Sequence, residues 1–494
     1  MSSSTQRCSG ILLHLSSLPG NPLGGELGDE AFSFVDFLHE TGQSLWQMLP
    51  VGPTHGDLSP YQALSSHAGN PVFVSLTPLQ EAGFLHTIGH PGAYEDVLQF
   101  KRRCIASAWT AVTQQLNNEW MDAFDTFCDG QTWLHDYALF IALRNQHGHQ
   151  SWTDWPEPFR SRDQQALKSF YQQHQQIVDA IKFEQYLFFT QWQKLRDYAS
   201  KKNVQLLGDL PIFVAHDSAE VWCRPELFLL DEQGKPTEVA GVPPDYFSET
   251  GQRWGNPLYN WQEIQKQSFQ WWIERIETQL QLFDKVRIDH FRGFEAFWAI
   301  PATEETAING QWRKAPGEEL FTALQQHFSM PLPLIAEDLG IITPEVDALR
   351  KRFKLPGMKI LQFAFGGQPD NPYLPHNHEK NAVVYTGTHD NNTTLGWYKS
   401  LPENEKRHVH EYLFQSEEPI NWLLIKAAAA SVANTCILPL QDVMGLDGLH
   451  RMNTPGTTEG NWRWRFDWSQ LGAKEKTKLK TLTQVYGRLR MFPL

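Results

Sequence analysis

Cysteine is scarce in this chain. Cys8, Cys104, Cys128, Cys223 and Cys436 are odd in number, scattered, and never paired as C-x-x-C. That argues against a disulfide framework or a thiolate zinc cluster and fits a reducing compartment, so the expected location is cytoplasmic. Long hydrophobic runs are missing as well: none approaches the roughly 20 apolar residues of a membrane-spanning helix, so no membrane partner is expected. The opening MSSSTQRCSGILLHLSSLPG interrupts its short apolar stretch with polar residues and does not read as a secretory signal. Positive charge is in deficit, with 42 Lys and Arg against 56 Asp and Glu and a formal charge of −14. Nucleic acid is not an expected partner, because phosphate binding needs clustered cations.

What the chain does have is aromatic side chains: 19 Trp, 13 Tyr and 30 Phe in 494 residues. Tryptophan fills large cores, and in clefts its face also stacks on the C–H edges of sugars. Composition alone leaves both uses open.

Eight short apolar runs recur along the chain, and several end abruptly in polar or charged residues. They are GILLHLSSL (10–18), SLWQMLPV (44–51), VQLLGDLPIF (204–213), KVRIDHFRG (285–293), LPLIAEDLG (332–340), MKILQFAF (358–365), AVVYTGTHDNN (382–392) and NTCILPLQD (434–442). Runs this short and β-branched read as strands, and helix-like stretches such as 183–202 and 268–283 lie between several of them. Strands buried on both faces and alternating with helices predict an α/β fold, a (β/α)8 barrel of the TIM type. A doubly wound sheet is the rival, but SSLPGNPLGG after the first run lacks the glycine pattern of a dinucleotide turn. The whole chain, 1–494, then forms one catalytic barrel domain with large, mostly helical insertions around the C-terminal ends of the strands. One insertion, 55–200, follows strand 2. A second, 215–284, follows strand 3 and carries a Gly/Pro-rich loop at 241–259 that is expected to lack regular structure.

In such a barrel the chemistry sits at the strand ends. In KVRIDHFRG, alternation points Arg287 and Asp289 to one side. A guanidinium beside a carboxylate favours the ionised form that a glycosidase nucleophile needs; a structural ion pair is the alternative. In AEDLG, adjacent residues face opposite ways, so one of Glu337 and Asp338 enters the barrel mouth. Glu337 follows the apolar PLIA run, and burial beside Asp289 would raise its pKa as a general acid requires. The alternative is a solvated Glu337 with Asp338 capping a helix. In YTGTHDNNTTLGW, His389 and Asp390 stand beside Asn391 and Asn392, offering hydrogen bonds to sugar hydroxyls. A metal site is the sharp alternative there, since His14, His216 and His290 lie at other strand ends. No H-x-H or H-x-x-x-H pair stands where a barrel metal would want one, so neither metal nor cofactor is expected.

These segments, together with HLSSLPG, SPYQALSSHAGNP (59–71), GDLPIFVAHDSAEVW (208–222), GVPPDYFSETGQRWGNPLY (241–259), LPGMKILQFAF, LQDVMGL and RMNTPGTTEGNWRWR, resemble the blocks of the amylomaltases, or 4-α-glucanotransferases, relatives of the α-amylases. The resemblance runs along essentially the whole chain, in order. It implies Asp289 as nucleophile, Glu337 as acid/base and Asp390 as the residue gripping sugar hydroxyls and stabilising the transition state. It further implies that Arg287 and His389 support the reacting sugar, that Tyr61 stacks on it, and that Asp209 shapes its pocket. Within 241–259, a substrate loop by the same resemblance, Trp254, Tyr246, Asn256 and Pro257 are the implied glucan contacts. Asn392 and His67 depart from the family pattern, which puts subsite preference in question rather than reaction type.

The implied reaction is a retaining double displacement on α-1,4-glucans, with another glucan or glucose as acceptor. Retention predicts carboxyl groups roughly 5–5.5 Å apart. An α-1,4-glucan hydrolase and a non-catalytic glucan-binding protein are the rival readings. A monomer or homodimer is expected.

Overall fold

The computed structural model describes residues 7–20, 25–92, 96–115, 118–244, 248–329, 331–414 and 416–489. The strands of its two sheets are β1 Cys8–Leu12, β2 Leu45–Gln47, β3 Gln205–Leu210, β4 Glu238–Val242, β5 Gln252–Pro257, β6 Lys285–Ile288, β7 Ala296–Pro301, β8 Gln311–Lys314, β9 Leu334–Ala336, β10 Gly357–Ile360, β11 Ala382–Tyr385 and β12 Thr435–Pro439. Eight of them form one all-parallel sheet in the order β10-β11-β12-β1-β2-β3-β6-β9. All eight apolar runs lie on these strands, and the sheet curls into the expected (β/α)8 barrel.

The strands read as nearly continuous apolar runs because both of their faces are covered. Every residue of β1 and of β11 is buried. Inward side chains such as Leu12, Leu207, Ile335, Met358 and Ile437 fill the barrel, where the Tyr385 hydroxyl donates to Gln47 Oε1 at 2.9 Å. The outer face packs on helices. A Cβ on Gly208 would meet the Phe283 ring at 2.3 Å, so glycine is what admits that ring against β3.

The barrel closes between β9 and β10. Ala336 N–H donates to Pro356 O at 2.9 Å. One step further on, the Asp338 carboxylate takes the place of a strand carbonyl and accepts Met358 N–H at 2.6 Å. Arg350 Nε stands 3.2 Å from the other Asp338 oxygen.

Between β2 and β3 lie the helices Val97–Gln114, Asn118–Asp129, Leu134–Gln146 and Gln164–Lys201. The last starts at an Asp163 cap whose side chain accepts Ala166 N–H at 2.8 Å. It bends at His174, where φ is −122° and ψ 22°. It then lies along the barrel, and Trp192 Nε1 donates to Leu282 O at 2.7 Å. Among the described residues, no helix is long and apolar enough to cross a membrane.

Part of the stretch expected to be irregular is regular. β4 and β5 pair as an antiparallel hairpin and join β7 and β8 in a second sheet, ordered β5-β4-β7-β8. Its glycines serve the hairpin rather than break it. Gly251 turns the chain at φ +67°, where a Cβ would meet Val242 O at 2.4 Å, and Gly255 holds φ +82° within β5. The register shifts between Val239 and Gly241, which marks a bulge. The aromatic content serves the core first: Trp46, Trp192, Trp222 and Trp272 are fully buried.

Candidate active site

Strand register assembles the charged groups. β3 and β6 pair Asp209 with Arg287. β6 and β9 pair Ile288 with Ala336, so one step beyond, Asp289 and Glu337 leave neighbouring strand ends side by side. Arg287 Nη1 donates to both Asp209 oxygens at 2.7 Å, and its Nη2 donates to Asp289 Oδ1 at 2.9 Å. The Asp209 side chain is wholly enclosed, whereas that of Asp289 is 30 % exposed to the cleft. Burial pulls the Arg287 pKa down; the two aspartates outweigh it and hold that pKa well above the usual value. Burial also pushes the Asp209 carboxyl up. Its oxygens nevertheless receive Arg287 and, at 2.7 Å, the Tyr61 hydroxyl. Only a carboxylate can accept all of those donors, so we read Asp209 as the anion of a buried ion pair.

Glu337 and Asp338 diverge as alternation requires. Asp338 faces β10, and Glu337 turns to the mouth, where Oε2 accepts His290 N–H at 2.8 Å. His290 can aim that N–H because its backbone is left-handed, φ 50° and ψ 52°. Burial raises the Glu337 pKa to about 8. Asp289 and Asp338 add to the rise, against the opposing pull of Arg287 and the His290 N–H. Strand β6 thus presents a carboxylate tied to a guanidinium, beside a carboxyl on β9 that keeps its proton near neutral pH.

The third acid follows β11. Asp390 Oδ2 lies 3.2 Å from His389 Nε2, and Oδ1 accepts Asn453 Nδ2 at 2.6 Å. Its main-chain oxygen accepts Arg451 Nη2 at 2.9 Å. Partial burial favours the protonated form, but His389, the Asn453 amide and Arg287 outweigh it and hold the Asp390 pKa below the usual range. The Tyr61 ring stacks on His389 at 5.2 Å and 16°, and Trp462 stands 6.0 Å from both. Tyr61 therefore links the Asp209–Arg287–Asp289 chain to the His389–Asp390–Asn453 chain.

The other expected residues take distinct places. Trp254 on β5 meets the His290 ring edge-on at 4.9 Å, which brings the second sheet to the mouth of the barrel. Asn256 is buried, and its amide is already engaged: Nδ2 donates to Val214 O at 2.8 Å and Oδ1 accepts Gln62 Nε2 at 3.2 Å. Pro257 ends β5 opposite Val239. Tyr246 lies outside the described residues. Asn391 and Asn392 shape their own loop. Asn391 Oδ1 accepts the Thr388 N–H and hydroxyl, both at 2.9 Å, and Asn392 O accepts Gln362 Nε2 at 2.8 Å. Among the described residues, no group of three His, Cys, Asp or Glu could hold a metal ion.

Three participants escaped the sequence reading: Asn453, Trp462 and the His290 N–H. The first two belong to RMNTPGTTEGNWRWR, whose Asn and paired Trp were the available signal. That segment carries no strand, so nothing in its pattern placed it at the mouth.

The family model described as 4-alpha-glucanotransferase matches residues 13–470. The chain is similar to a 4-alpha-glucanotransferase of Thermus thermophilus, at 48 % identity over 98 % of this chain and 99 % of the relative. It is likewise similar to one from Synechocystis, at 46 % identity over 98 % of each. Among solved structures, an amylomaltase from Streptococcus agalactiae in complex with acarbose superposes with a TM-score of 0.94 at 36 % identity, covering 98 % of this chain and 100 % of that one. A pullulanase from Paenibacillus barengoltzii shares the fold at a TM-score of 0.52 and 10 % identity, with 98 % of this chain and 63 % of that one covered. Three acids just past the strand ends of a parallel barrel, and relatives nearly half identical from end to end, lead to one conclusion: the chain belongs to the 4-alpha-glucanotransferase, or amylomaltase, family.

Proposed function

We infer that this chain transfers segments of α-1,4-glucans to the 4-hydroxyl of an acceptor glucan or glucose, by two successive displacements at one anomeric carbon. Asp289, hydrogen-bonded to the Arg287 guanidinium, attacks that carbon. Glu337 gives its proton to the departing glycosidic oxygen. The glycosidic bond breaks as the Asp289 ester forms, and Glu337 is left as a carboxylate. It then takes the proton of the acceptor 4-hydroxyl, whose oxygen displaces Asp289 and restores both groups. Asp390, its two oxygens held by His389 and Asn453, grips the sugar hydroxyls as charge develops at the ring. Tyr61 offers a stacking face to the same sugar, and Asp209 holds both Arg287 and Tyr61 in place. Trp254 and Tyr246 contact the glucan from the loop 241–259; Asn256 and Pro257 act by fixing that loop to the barrel.

The observation that carries this reading is the split between neighbouring strand ends: a guanidinium-paired Asp289 beside a Glu337 whose pKa is raised to about 8. Such a pair supplies a nucleophile and a proton donor at the same pH. Transfer requires a bound acceptor to outcompete water at about 55 M, and ordered intramolecular geometries reach effective molarities of roughly 10⁵ M or more.

Incubation with maltotriose is the test. Transfer yields glucose and a ladder of longer maltodextrins at constant reducing ends. Rising reducing ends without a ladder would make the chain a hydrolase instead. Absence of turnover in the parent protein, with glucan still bound, would reduce it to a binding protein. Asp289→Asn should abolish the ladder.

A further inference from the structure

Beside His389 lies a pocket. Its lining includes His14 from the segment after β1, Asn392 from the loop after β11, and Trp464 from the C-terminal segment, as well as His389 itself. His14 Nδ1, Asn392 Oδ1 and Trp464 Nε1 are each buried, and each lacks a hydrogen-bond partner among the described residues. Buried polar atoms are bonded in the great majority of cases, and leaving one unsatisfied is costly. Three orphans from three separate segments that line one pocket are the kind of polar partners, two to four in number, that an ordered internal water needs.

The three are chemically complementary. Trp464 Nε1 can only donate and Asn392 Oδ1 can only accept. His14 is neutral, because burial, with nearby His389 adding to it, pushes its pKa down to about 3. A neutral imidazole offers one donor and one acceptor. Asn392 packs over two glycines: its Oδ1 lies 2.2 Å from where a Cβ on Gly396 would stand and 2.9 Å from the equivalent point on Gly448. Both positions are glycine, and the amide oxygen fills the space that side chains would take.

His389 is the neighbour for which this matters. Its Nε2 faces Asp390 and its ring lies under Tyr61. A partner that sets its tautomer and tilt acts through the other ring nitrogen, a partnership known to tune histidines at functional sites.

We propose that His14, Asn392 and Trp464 are positioning residues: through water held in the pocket they share with His389, they fix the imidazole that orients Asp390. This rests on the reading of Asp390 and His389 as holders of the reacting sugar. It adds a third layer to the site, contributed by three separate segments of the chain.

The experiment combines structure, kinetics and spectroscopy on the full chain. A high-resolution crystal structure should show water within hydrogen-bond distance of His14 Nδ1, Asn392 Oδ1 and Trp464 Nε1; a dry pocket overturns the proposal. His14→Phe and Trp464→Phe should each lower kcat on maltotriose about tenfold, the scale of one buried polar group losing its partner, with KM little changed. His14→Asn places an amide atom near Nδ1 and should recover most of the loss. In protein labelled with ¹⁵N-histidine, the His389 ring shifts should move in His14→Phe and return in His14→Asn. Unchanged shifts, or equal losses in both His14 variants, overturn the proposal in favour of simple packing. If His14→Phe does not fold, Trp464→Phe carries the same readouts. The water and the ring shifts do not depend on turnover, so failure of the transferase reading shows as an inactive parent protein, separately from failure here.

Discussion

Replacing Glu337 by glutamine should disable the protein and, above neutral pH, stabilise it. In the folded chain Glu337 releases its proton at about 8, against 4.5 for an unperturbed glutamate. Below pH 4.5 both folded and unfolded chains hold the proton, and the group contributes no difference. Between the two values the unfolded chain releases it and the folded chain does not, so stability falls as pH rises, and above pH 8 the loss is complete. At 1.36 kcal/mol per unit, the wild type should lose about 3–4 kcal/mol between pH 5 and pH 8 through this one carboxyl. Glutamine does not titrate, and it retains an oxygen for the His290 N–H. Urea denaturation of both proteins at pH 5, 6, 7 and 8 reads the difference from midpoints and slopes. The advantage of Glu337→Gln should widen steadily over that range. A constant difference would mean that Glu337 titrates as an ordinary carboxyl, and the physical basis for its role as proton donor would be gone.

The same pKa predicts that transfer from maltotriose declines as pH rises through about 8, read from kcat/KM against pH. Glu337→Gln should lower kcat/KM on maltotriose about 10²–10⁴-fold, yet far less on α-maltotriosyl fluoride, whose leaving group departs without a proton; equal losses on both would remove Glu337 from the acid role. Asn453→Ala removes the 2.6 Å bond to Asp390 and should cost about 5–50-fold in kcat/KM with an unchanged urea midpoint. Arg488 is fully buried and donates to the carbonyls of Cys8, Ala429, Ser431 and Ala433. Arg488→Met should destabilise by about 2–4 kcal/mol, leaving kcat of the folded protein at the parent value.

The barrel was legible because its physics is local. A strand covered on both faces must be apolar throughout, so each of the eight runs announces itself without reference to the others. Alternation put Arg287 and Asp289 on one side and let only one of Glu337 and Asp338 face the mouth; the apolar run before Glu337 favoured that residue. The second sheet was hidden because β4 and β5 are half-polar and built around glycines, which in isolation signal a break; β7 and β8 supply the pairing that turns them into strands. Asn453 and Trp462 were hidden for a different reason. They reach Asp390 and Tyr61 from a segment 63 and 401 residues further along the chain, and no periodicity spans such distances. Asn256 shows the converse: its motif pointed to a sugar contact, while its amide turned out to be engaged by Val214 and Gln62.

The seam between β9 and β10 carries a mechanical consequence. There the circle is completed in part by a side chain, with Asp338 accepting Met358 N–H and facing Arg350. The residue before it is Glu337. Two consecutive acids therefore divide two duties, one latching the wall and the other offering a proton, and they share a backbone too short to let either move alone. Loosening the latch would shift the proton donor with it. Amide exchange at Met358 should thus report on the same motion that limits how accurately Glu337 meets the glycosidic oxygen.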